Sequence, residues 1–298
     1  MKKVFQGTYT AVITPFTNDN RTDWPAFERI IEQQIAGGVE GIVFMGTTGE
    51  SPTLSEAEHA EILTRSAKIV NKRCQVIHGI GSNNTNTAIT LAKEAAHAGA
   101  DGLLAVVPYY NKPTQEGLLR HFTAIANTTD VPIIIYNIKG RTGINMETST
   151  LLKLAEHKNI VAVKEASGDV SQMIDVINKT PGDFSVLVGD DGLILPFMAC
   201  GGDGVISVIS NCAPRATSDL VRICLRGDYQ TAQRLFYRLL DIMKVAFIES
   251  NPIPIKEIMS MLGYCSPNFR LPLCRASEGS MKKIAEIVEY IKSIEKPI

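Results

Sequence analysis

Short apolar runs rich in β-branched residues alternate with amphipathic stretches along most of the chain. A run that is apolar on both faces is typical of a buried parallel strand, whereas apolar positions three and four residues apart indicate a helix. Eight strands are predicted, over residues 8–14, 41–45, 75–79, 102–107, 133–136, 160–164, 185–189 and 204–208. Helices are predicted between them, over residues 24–36, 55–70, 85–98, 115–128, 146–156 and 170–179. Because strand precedes helix throughout, the pattern predicts a parallel sheet.

The number of strand–helix units favours a closed barrel over an open sheet. Residues 38–41, 99–102 and 201–204 repeat a glycine-rich joint before an apolar run, and these glycines suit a helix C-cap and close packing. Eight units of about thirty residues have the size of a TIM (β/α)₈ barrel. A doubly wound open sheet is the alternative, which the count of eight disfavours. Residues 79–84 begin like a dinucleotide-binding fingerprint but lack its third glycine.

The barrel is predicted to close near Ile209, and the rest of the chain has helical patterns. These predicted helices cover residues 215–225, 228–245, 253–262 and 277–294. We therefore expect two domains, a barrel that carries the catalytic site over residues 1–224 and a C-terminal helical domain over residues 225–298.

The composition excludes several classes of protein. Hydrophobic residues make up 45% of the 298 residues and charged residues 20%, so a large core can form. Thirty basic residues against 31 acidic ones give a net charge of -1, which offers no general attraction to nucleic acid or anionic membranes. No apolar run is long enough for a signal peptide or a membrane span, so we expect a cytoplasmic protein.

The cysteines and histidines do not form a recognisable metal or disulfide pattern. The six cysteines lack a Cys-x-x-Cys pair, and the five histidines lack a His-x-x-x-His pair. We expect no metal, and we interpret the cysteines as small buried hydrophobic residues.

A lysine ends the strand predicted over residues 160–164. In the sequence Ile160-Val161-Ala162-Val163-Lys164, four apolar residues stop abruptly at an amine. Desolvation at the end of a buried strand lowers the pKa of a lysine and makes it a nucleophile towards carbonyls. More commonly, a lysine at a strand end extends its charge into water. On this residue alone the second interpretation is favoured.

Other candidate groups follow other predicted strands, at the end of the barrel where reacting groups lie. Thr47 and Thr48 stand between glycines, in a loop that could hold a carboxylate or phosphate, although a capped turn is commoner. Tyr110 and Tyr136 stand where tyrosines usually only pack. Arg141 has glycines nearby and could simply be solvated, but its guanidinium is a natural carboxylate clamp.

Together these strand ends supply an amine, phenols, paired hydroxyls and a guanidinium. This set suits imine chemistry on an anionic keto acid, with the amine as nucleophile, a phenol as proton carrier and the remaining groups holding carboxylates.

Six motifs also occur in the order and approximate spacing of a known family. They are Gly46-Thr47-Thr48-Gly49-Glu50, Pro108-Tyr109-Tyr110-Asn111, Tyr136-Asn137, Gly140-Arg141-Thr142-Gly143, Val163-Lys164-Glu165 and Asn251-Pro252-Ile253-Pro254-Ile255-Lys256. Over nearly its whole length the chain resembles the dihydrodipicolinate synthase and N-acetylneuraminate lyase family of class I pyruvate aldolases. Each motif is weak alone, but together they are specific, and the nucleophile interpretation of Lys164 is now favoured.

The resemblance implies a reaction between pyruvate and L-aspartate 4-semialdehyde, without a cofactor. Lys164 would form a Schiff base with pyruvate, and the enamine would attack the aldehyde. Cyclisation would then give the hydroxytetrahydrodipicolinate precursor of diaminopimelate and lysine. Tyr136 would be the general acid and base, linked through Thr48 to Tyr110, and Tyr110 would cross from a neighbouring subunit. A homotetramer built from two such dimers is therefore expected.

The resemblance also assigns the binding residues. Thr47 and Thr48 would hold the pyruvate carboxylate, Gly189 and Ile206 would line the pocket, and Arg141 would hold the carboxylate of the semialdehyde. The Gly-Arg-Thr-Gly segment favours the synthases, since sialic acid lyases of the family do not usually carry it. The family usually has a proline before this segment, whereas this chain has Lys139.

A lysine-effector site is implied at Ser51, His59, Asn83 and Tyr109. The acidic residue that usually pairs with the effector ammonium corresponds to Thr87, which carries no charge. We therefore expect weak inhibition by L-lysine or none.

Two other functions remain open from the sequence. The chain could be another pyruvate aldolase or lyase of the same barrel, acting on N-acetylneuraminate or a 2-keto-3-deoxy sugar acid. It could also be a non-catalytic barrel that binds pyruvate or a related metabolite as a sensor.

Overall fold

The computed structural model describes residues 3–294, and its eight strands form one closed barrel. Each strand pairs in parallel with the next, and the last pairs with the first, for example Thr8 beside Val205. The strands are β1 Gly7–Ala11, β2 Gly41–Phe44, β3 Gln75–Gly79, β4 Gly102–Val106, β5 Ile133–Asn137, β6 Ile160–Glu165, β7 Ser185–Val188 and β8 Gly204–Ser207. The predicted barrel is confirmed.

Strand β1 is shorter than predicted, because the chain leaves the sheet after Ala11. The N–H of Ile13 donates to Oδ1 of Asn211 at 3.0 Å, and Oγ1 of Thr14 donates to the carbonyl of Gly49 at 2.7 Å. The N–H of Val12 still donates to the carbonyl of Val43 on β2 at 3.1 Å, and residues 12–14 stay buried beyond the end of the strand, which explains the longer apolar pattern.

Helices surround the barrel and continue beyond it. They are α1 Trp24–Ala36, α2 Glu56–Val70, α3 Thr85–His97, α4 Gln115–Ala126, α5 Lys139–Thr142, α6 Thr148–Leu154, α7 Val170–Lys179, α8 Ile194–Ala199, α9 Pro214–Leu225, α10 Tyr229–Val245, α11 Ile253–Met261 and α12 Glu278–Ile294. Helices α5 and α8 are not predicted from the sequence, since each is too short to show a helical period.

Two apolar clusters hold this arrangement together. The larger lies between the strands and the surrounding helices. The smaller lies within the barrel and includes Tyr9, Val43, Leu104, Ile134 and Ile206. Interior side chains of this kind fill the centre of a barrel, so the site must lie at its mouth.

The last four helices pack on the barrel and on each other. Helix α9 contacts β1 and α10, and α12 contacts α10 and α11. Helix α9 ends at Leu225, beside the predicted domain boundary at 224/225, and the division into two domains stays a prediction. None of the helices within residues 3–294 has the length and apolar character needed to span a membrane.

The interpretation of the cysteines was only partly right. Cys212 and Cys224 are buried, whereas Cys200 and Cys274 are exposed. No group of three or more metal-ligating side chains occurs within residues 3–294.

Candidate active site

The carboxyl ends of the strands surround a cavity of about 530 Å³. Its lining includes three of the residues that the sequence assigns to the reaction, Thr47 after β2, Tyr136 on β5 and Arg141 on α5. Lys164 adjoins it through Tyr136, because Lys164 and Tyr136 are register partners on β6 and β5. The topology thus brings together residues that are more than a hundred positions apart.

The amine of Lys164 is buried against the Tyr136 ring. Only 5% of Lys164 is exposed, and its Nζ lies 4.2 Å from the ring centre. Burial lowers the pKa of Lys164 to about 8, the negative charge of Asp191 opposes this shift, and the positive charge of Arg141 adds to it. Much more of this amine is therefore neutral near pH 7 than in an exposed lysine.

The Tyr136 phenol keeps its proton at neutral pH. Burial raises the pKa of Tyr136 to about 12, while the charge of Arg141 and a side-chain hydrogen bond with Thr47 act in the opposite direction. A protonated phenol beside a nucleophilic amine can donate a proton to a developing alkoxide or hydroxyl group.

The threonine beside Tyr136 differs from the one expected. Thr47 interacts with the Tyr136 phenol, whereas the Thr48 hydroxyl accepts a hydrogen bond from Nδ2 of Asn251 at 2.9 Å. The expected contact between Thr48 and Tyr136 is therefore wrong, and Thr47 takes that position. The backbone turns sharply on either side of the two threonines, with φ of 55° at Met45 and 53° at Glu50.

Arg141 lies on a single helical turn, not in an open loop. The N–H of Gly143 donates to the carbonyl of Lys139 at 2.9 Å and closes the turn, which is held in this way without the usual proline. Nη2 of Arg141 donates to the carbonyl of Asn251 at 2.9 Å. A guanidinium has five N–H donors, so Arg141 can hold this carbonyl and also bind an anionic ligand.

Gly189 lies beside the Lys164 side chain, whereas neither Gly189 nor Ile206, which were expected to line the pocket, is among the residues that line the cavity. A Cβ added to Gly189 would lie 2.8 Å from Cε of Lys164 and 2.8 Å from Cβ of Ala166. Ile206 is buried within the barrel in the same cluster as Tyr136.

Asp191 is a buried acid that is not among the site residues predicted from the sequence. Its carboxylate accepts hydrogen bonds from Oγ of Ser207 at 2.5 Å, and from the N–H groups of Val208 and Ile209 at 2.9 and 3.2 Å. Burial raises the pKa of Asp191 to about 6, and these hydrogen bonds oppose the shift. The acid follows the strand β7 by only three residues, so its position at a strand end was the available signal.

The side chain of Tyr110 is exposed on the surface of its own chain. It is 88% exposed and has φ of 71°, a conformation that is unfavourable for a residue other than glycine. It does not line the cavity, whereas its neighbour Tyr109 does. A single chain therefore does not bring Tyr110 to Tyr136.

The residues of the implied effector site lie on the same cavity, with one exception. Ser51, His59, Tyr109 and Thr87 line it, and Nε2 of His59 is 3.2 Å from the carbonyl of Ser51. Asn83 is outside the lining, and its carbonyl accepts a hydrogen bond from Asn111.

A model of the dihydrodipicolinate synthetase family matches residues 4–291. The chain belongs to this family. A 4-hydroxy-tetrahydrodipicolinate synthase from Leptospira biflexa is 51% identical over 285 residues, which are 94% of this chain and 97% of the relative.

Solved structures of the dihydrodipicolinate synthetase family superimpose closely on the chain. The 4-hydroxy-tetrahydrodipicolinate synthase from Methylacidiphilum fumariolicum SolV has a TM-score of 0.95 and 46% identity, over 97% of this chain and 96% of that one. A monomeric dihydrodipicolinate synthase variant also has a TM-score of 0.95, with 38% identity over 97% of each chain. Both the family and the barrel predicted from the sequence are confirmed.

Proposed function

We propose that the chain is a 4-hydroxy-tetrahydrodipicolinate synthase, a lyase of the class I aldolase type. It condenses pyruvate with L-aspartate 4-semialdehyde in the first committed step towards diaminopimelate and lysine. Family membership supports this activity. The observation that carries the mechanism is the buried amine of Lys164, held 4.2 Å from the Tyr136 ring at the mouth of a closed barrel.

The reaction begins with the neutral amine of Lys164, which attacks the carbonyl carbon of pyruvate. Proton transfers through Tyr136 convert the resulting carbinolamine into an imine and release water. Loss of a methyl proton gives the enamine, whose carbon then forms a bond to the aldehyde carbon of the semialdehyde. The amino group of the semialdehyde attacks the imine carbon, which closes the ring and frees Lys164.

The carboxylates of the two substrates require separate partners. Thr47, Thr48 and the backbone N–H groups of their loop hold the pyruvate carboxylate, and Arg141 holds that of the semialdehyde. The hydrogen bond from Arg141 to the Asn251 carbonyl fixes the guanidinium at the cavity wall before substrate binds.

We propose that the chain assembles as a homotetramer of two dimers and acts in the cytoplasm. The exposure of Tyr110 supports a dimer in which this phenol reaches the site of the partner subunit. A monomeric variant has the same fold, so fold alone does not require assembly.

Reduction with borohydride tests the mechanism. Wild-type protein incubated with pyruvate and borohydride should gain the mass of the reduced adduct on Lys164, located by peptide mass spectrometry. Lys164→Ala should gain nothing. An unmodified wild-type protein would contradict the enzyme assignment and favour a barrel that only binds metabolites.

A second assay identifies the aldehyde. L-aspartate 4-semialdehyde should be consumed with pyruvate in a coupled assay, whereas N-acetylmannosamine and sugar-derived aldehydes should react far more slowly. Preference for a sugar aldehyde would instead make the chain an aldolase of the alternative kind, with the Lys164 adduct retained.

A further inference from the structure

The loop that carries Thr47 and Thr48 is bound at its end to the C-terminal helices. Oε1 of Glu50 lies 2.5 Å from Nζ of Lys256 on α11, and neither side chain is exposed. Oε2 of Glu50 accepts a hydrogen bond from the N–H of Arg270 at 3.3 Å. A fully buried pair of charges therefore joins a loop of the barrel mouth to a segment more than two hundred residues away.

The backbone transmits the position of Glu50 to the threonines. The φ of 53° at Glu50 lies in the left-handed region, where a residue with a side chain is strained. The N–H of Glu50 donates to the carbonyl of Thr47 at 3.1 Å. Displacement of Glu50 would therefore also displace Thr47, within the same tight turn.

An aromatic ring completes the attachment. The ring of Phe16, in the segment after β1, has Nζ of Lys256 4.1 Å and Cζ of Arg270 4.2 Å from its centre. Arg270 also donates to the carbonyl of Thr53 at 2.9 Å and pairs with Glu58. The C-terminal segment thus contacts the chain after β1 and after β2 together.

Stability alone is a poor reason for a buried ion pair. The cost of removing two charges from water is comparable to their attraction, and apolar replacements often leave a protein equally stable. What such a pair does provide is one defined geometry, since any other arrangement leaves a charge buried without a partner.

We propose that Glu50 and Lys256 are positioning residues for the reaction proposed above, on which this inference rests. Their ion pair fixes the loop after β2 on helix α11, so that the hydroxyls of Thr47 and Thr48 face the pyruvate carboxylate. The C-terminal helices therefore set the geometry of the pyruvate site, although neither Glu50 nor Lys256 is a catalytic residue.

Three variants distinguish an effect on the geometry of the pyruvate site from an effect on the stability of the fold. Glu50→Gln removes the charge of the loop partner, and the double variant Glu50→Gln with Lys256→Met removes both charges. Glu257→Gln is the matched control, because Glu257 is the next residue of α11, is equally buried, is paired with Arg275 at 2.9 Å and lies outside the cavity. For each we would measure the melting temperature, kcat, KM for pyruvate and the rate of the borohydride-trapped adduct.

We expect Glu50→Gln to lower the melting temperature and raise KM for pyruvate about tenfold or more. In the double variant no buried charge is left unpaired, so the melting temperature should recover while KM stays high. Glu257→Gln should lower the melting temperature with KM unchanged. If Glu50→Gln fails to fold, the KM of the double variant for pyruvate tests the inference on its own.

Recovery of KM together with the melting temperature in the double variant would overturn the inference, as would an unchanged KM in a folded Glu50→Gln protein. Failure of the proposed function is distinct, because the wild-type protein itself would then form no reduced adduct with pyruvate.

Discussion

Lys164 and Tyr136 are paired directly across neighbouring strands, and Nζ of Lys164 lies 4.2 Å from the centre of the Tyr136 ring. The ring stabilises the ammonium, whereas the burial of both residues favours the neutral amine. Burial is the stronger effect, since the pKa of Lys164 is lowered to about 8. Because strand register fixes both side chains, the proposed nucleophile and its proposed proton donor do not depend on loop motion for their relative position.

The first prediction concerns the pH dependence of imine formation. The amine is nucleophilic only when neutral, so the rate of adduct trapping should rise with pH through about 8 and level off above it. Asp191→Asn removes a negative charge that stabilises the ammonium, so the pKa of Lys164 should fall and the profile should move to lower pH.

Asp190→Asn is the control, because Asp190 is exposed and its side chain caps Gly192 at 2.9 Å. Its profile should coincide with that of the wild type. An Asp191→Asn profile displaced to higher pH would contradict the electrostatic argument.

The second prediction concerns the glycine beside the amine. Gly189→Ala would introduce a Cβ 2.8 Å from both Cε of Lys164 and Cβ of Ala166. The Cβ of Ala166 is fixed to the backbone, so the flexible end of the Lys164 side chain would move instead. Displacing a reacting group by about 1 Å lowers the reaction rate on the order of a hundredfold, so we expect a loss of this size in kcat/KM for pyruvate.

Gly182→Ala, before the same strand, meets nothing within 4 Å and should retain full activity. Circular dichroism would show whether both variants fold. If Gly189→Ala forms the trapped adduct at the wild-type rate, the added Cβ does not displace Lys164 from its reactive position.

How much of this site follows from the sequence differs from residue to residue. Lys164 and Tyr136 could be found because each ends a recognisable apolar strand, and parallel strands must end at the same mouth. The choice between Thr47 and Thr48 could not be made, since adjacent hydroxyls differ only in loop backbone conformation. Asn251 belongs to a motif to which the sequence assigns no role of its own, because its contact with the loop after β2 joins distant parts of the chain.

The third prediction separates the two threonines. Thr47→Val removes the hydrogen bond that lowers the pKa of Tyr136, so proton transfer should slow and kcat should fall roughly a hundredfold. Thr48→Val leaves Nδ2 of Asn251 without its acceptor in a buried site, which should cost about 1–3 kcal/mol in the free energy of unfolding.

Steady-state rates and urea denaturation of both variants measure these effects. If Thr48→Val suffers the larger loss of kcat and Thr47→Val the larger loss of stability, the assignment is reversed.

The fourth prediction is that Tyr110 acts in the partner's site. Chains with Tyr110→Phe and chains with Lys164→Ala should each be nearly inactive alone. Co-expressed with different tags and purified through both, they should form dimers with one intact site, and about half of the wild-type activity should return.

Mixing Lys164→Ala with Tyr136→Phe is the matched control. These two residues pair within one chain, so no mixed dimer contains an intact site and no activity should return. Equal recovery in both mixtures would rule out a role for Tyr110 across the interface.

The last prediction concerns regulation by L-lysine. Thr87 lines the cavity with Ser51, His59 and Tyr109. By the family resemblance this is the position of the acid that pairs with the lysine ammonium, and a threonine carries no charge. A wild-type titration over millimolar lysine should therefore show weak inhibition or none. Thr87→Glu supplies the charge at an exposed helix position on α3 and should increase inhibition at least several-fold, while Thr87→Gln, of similar size and neutral, should not. Strong inhibition of the wild type, or equal effects of Glu and Gln, would show that charge at this position does not determine the response.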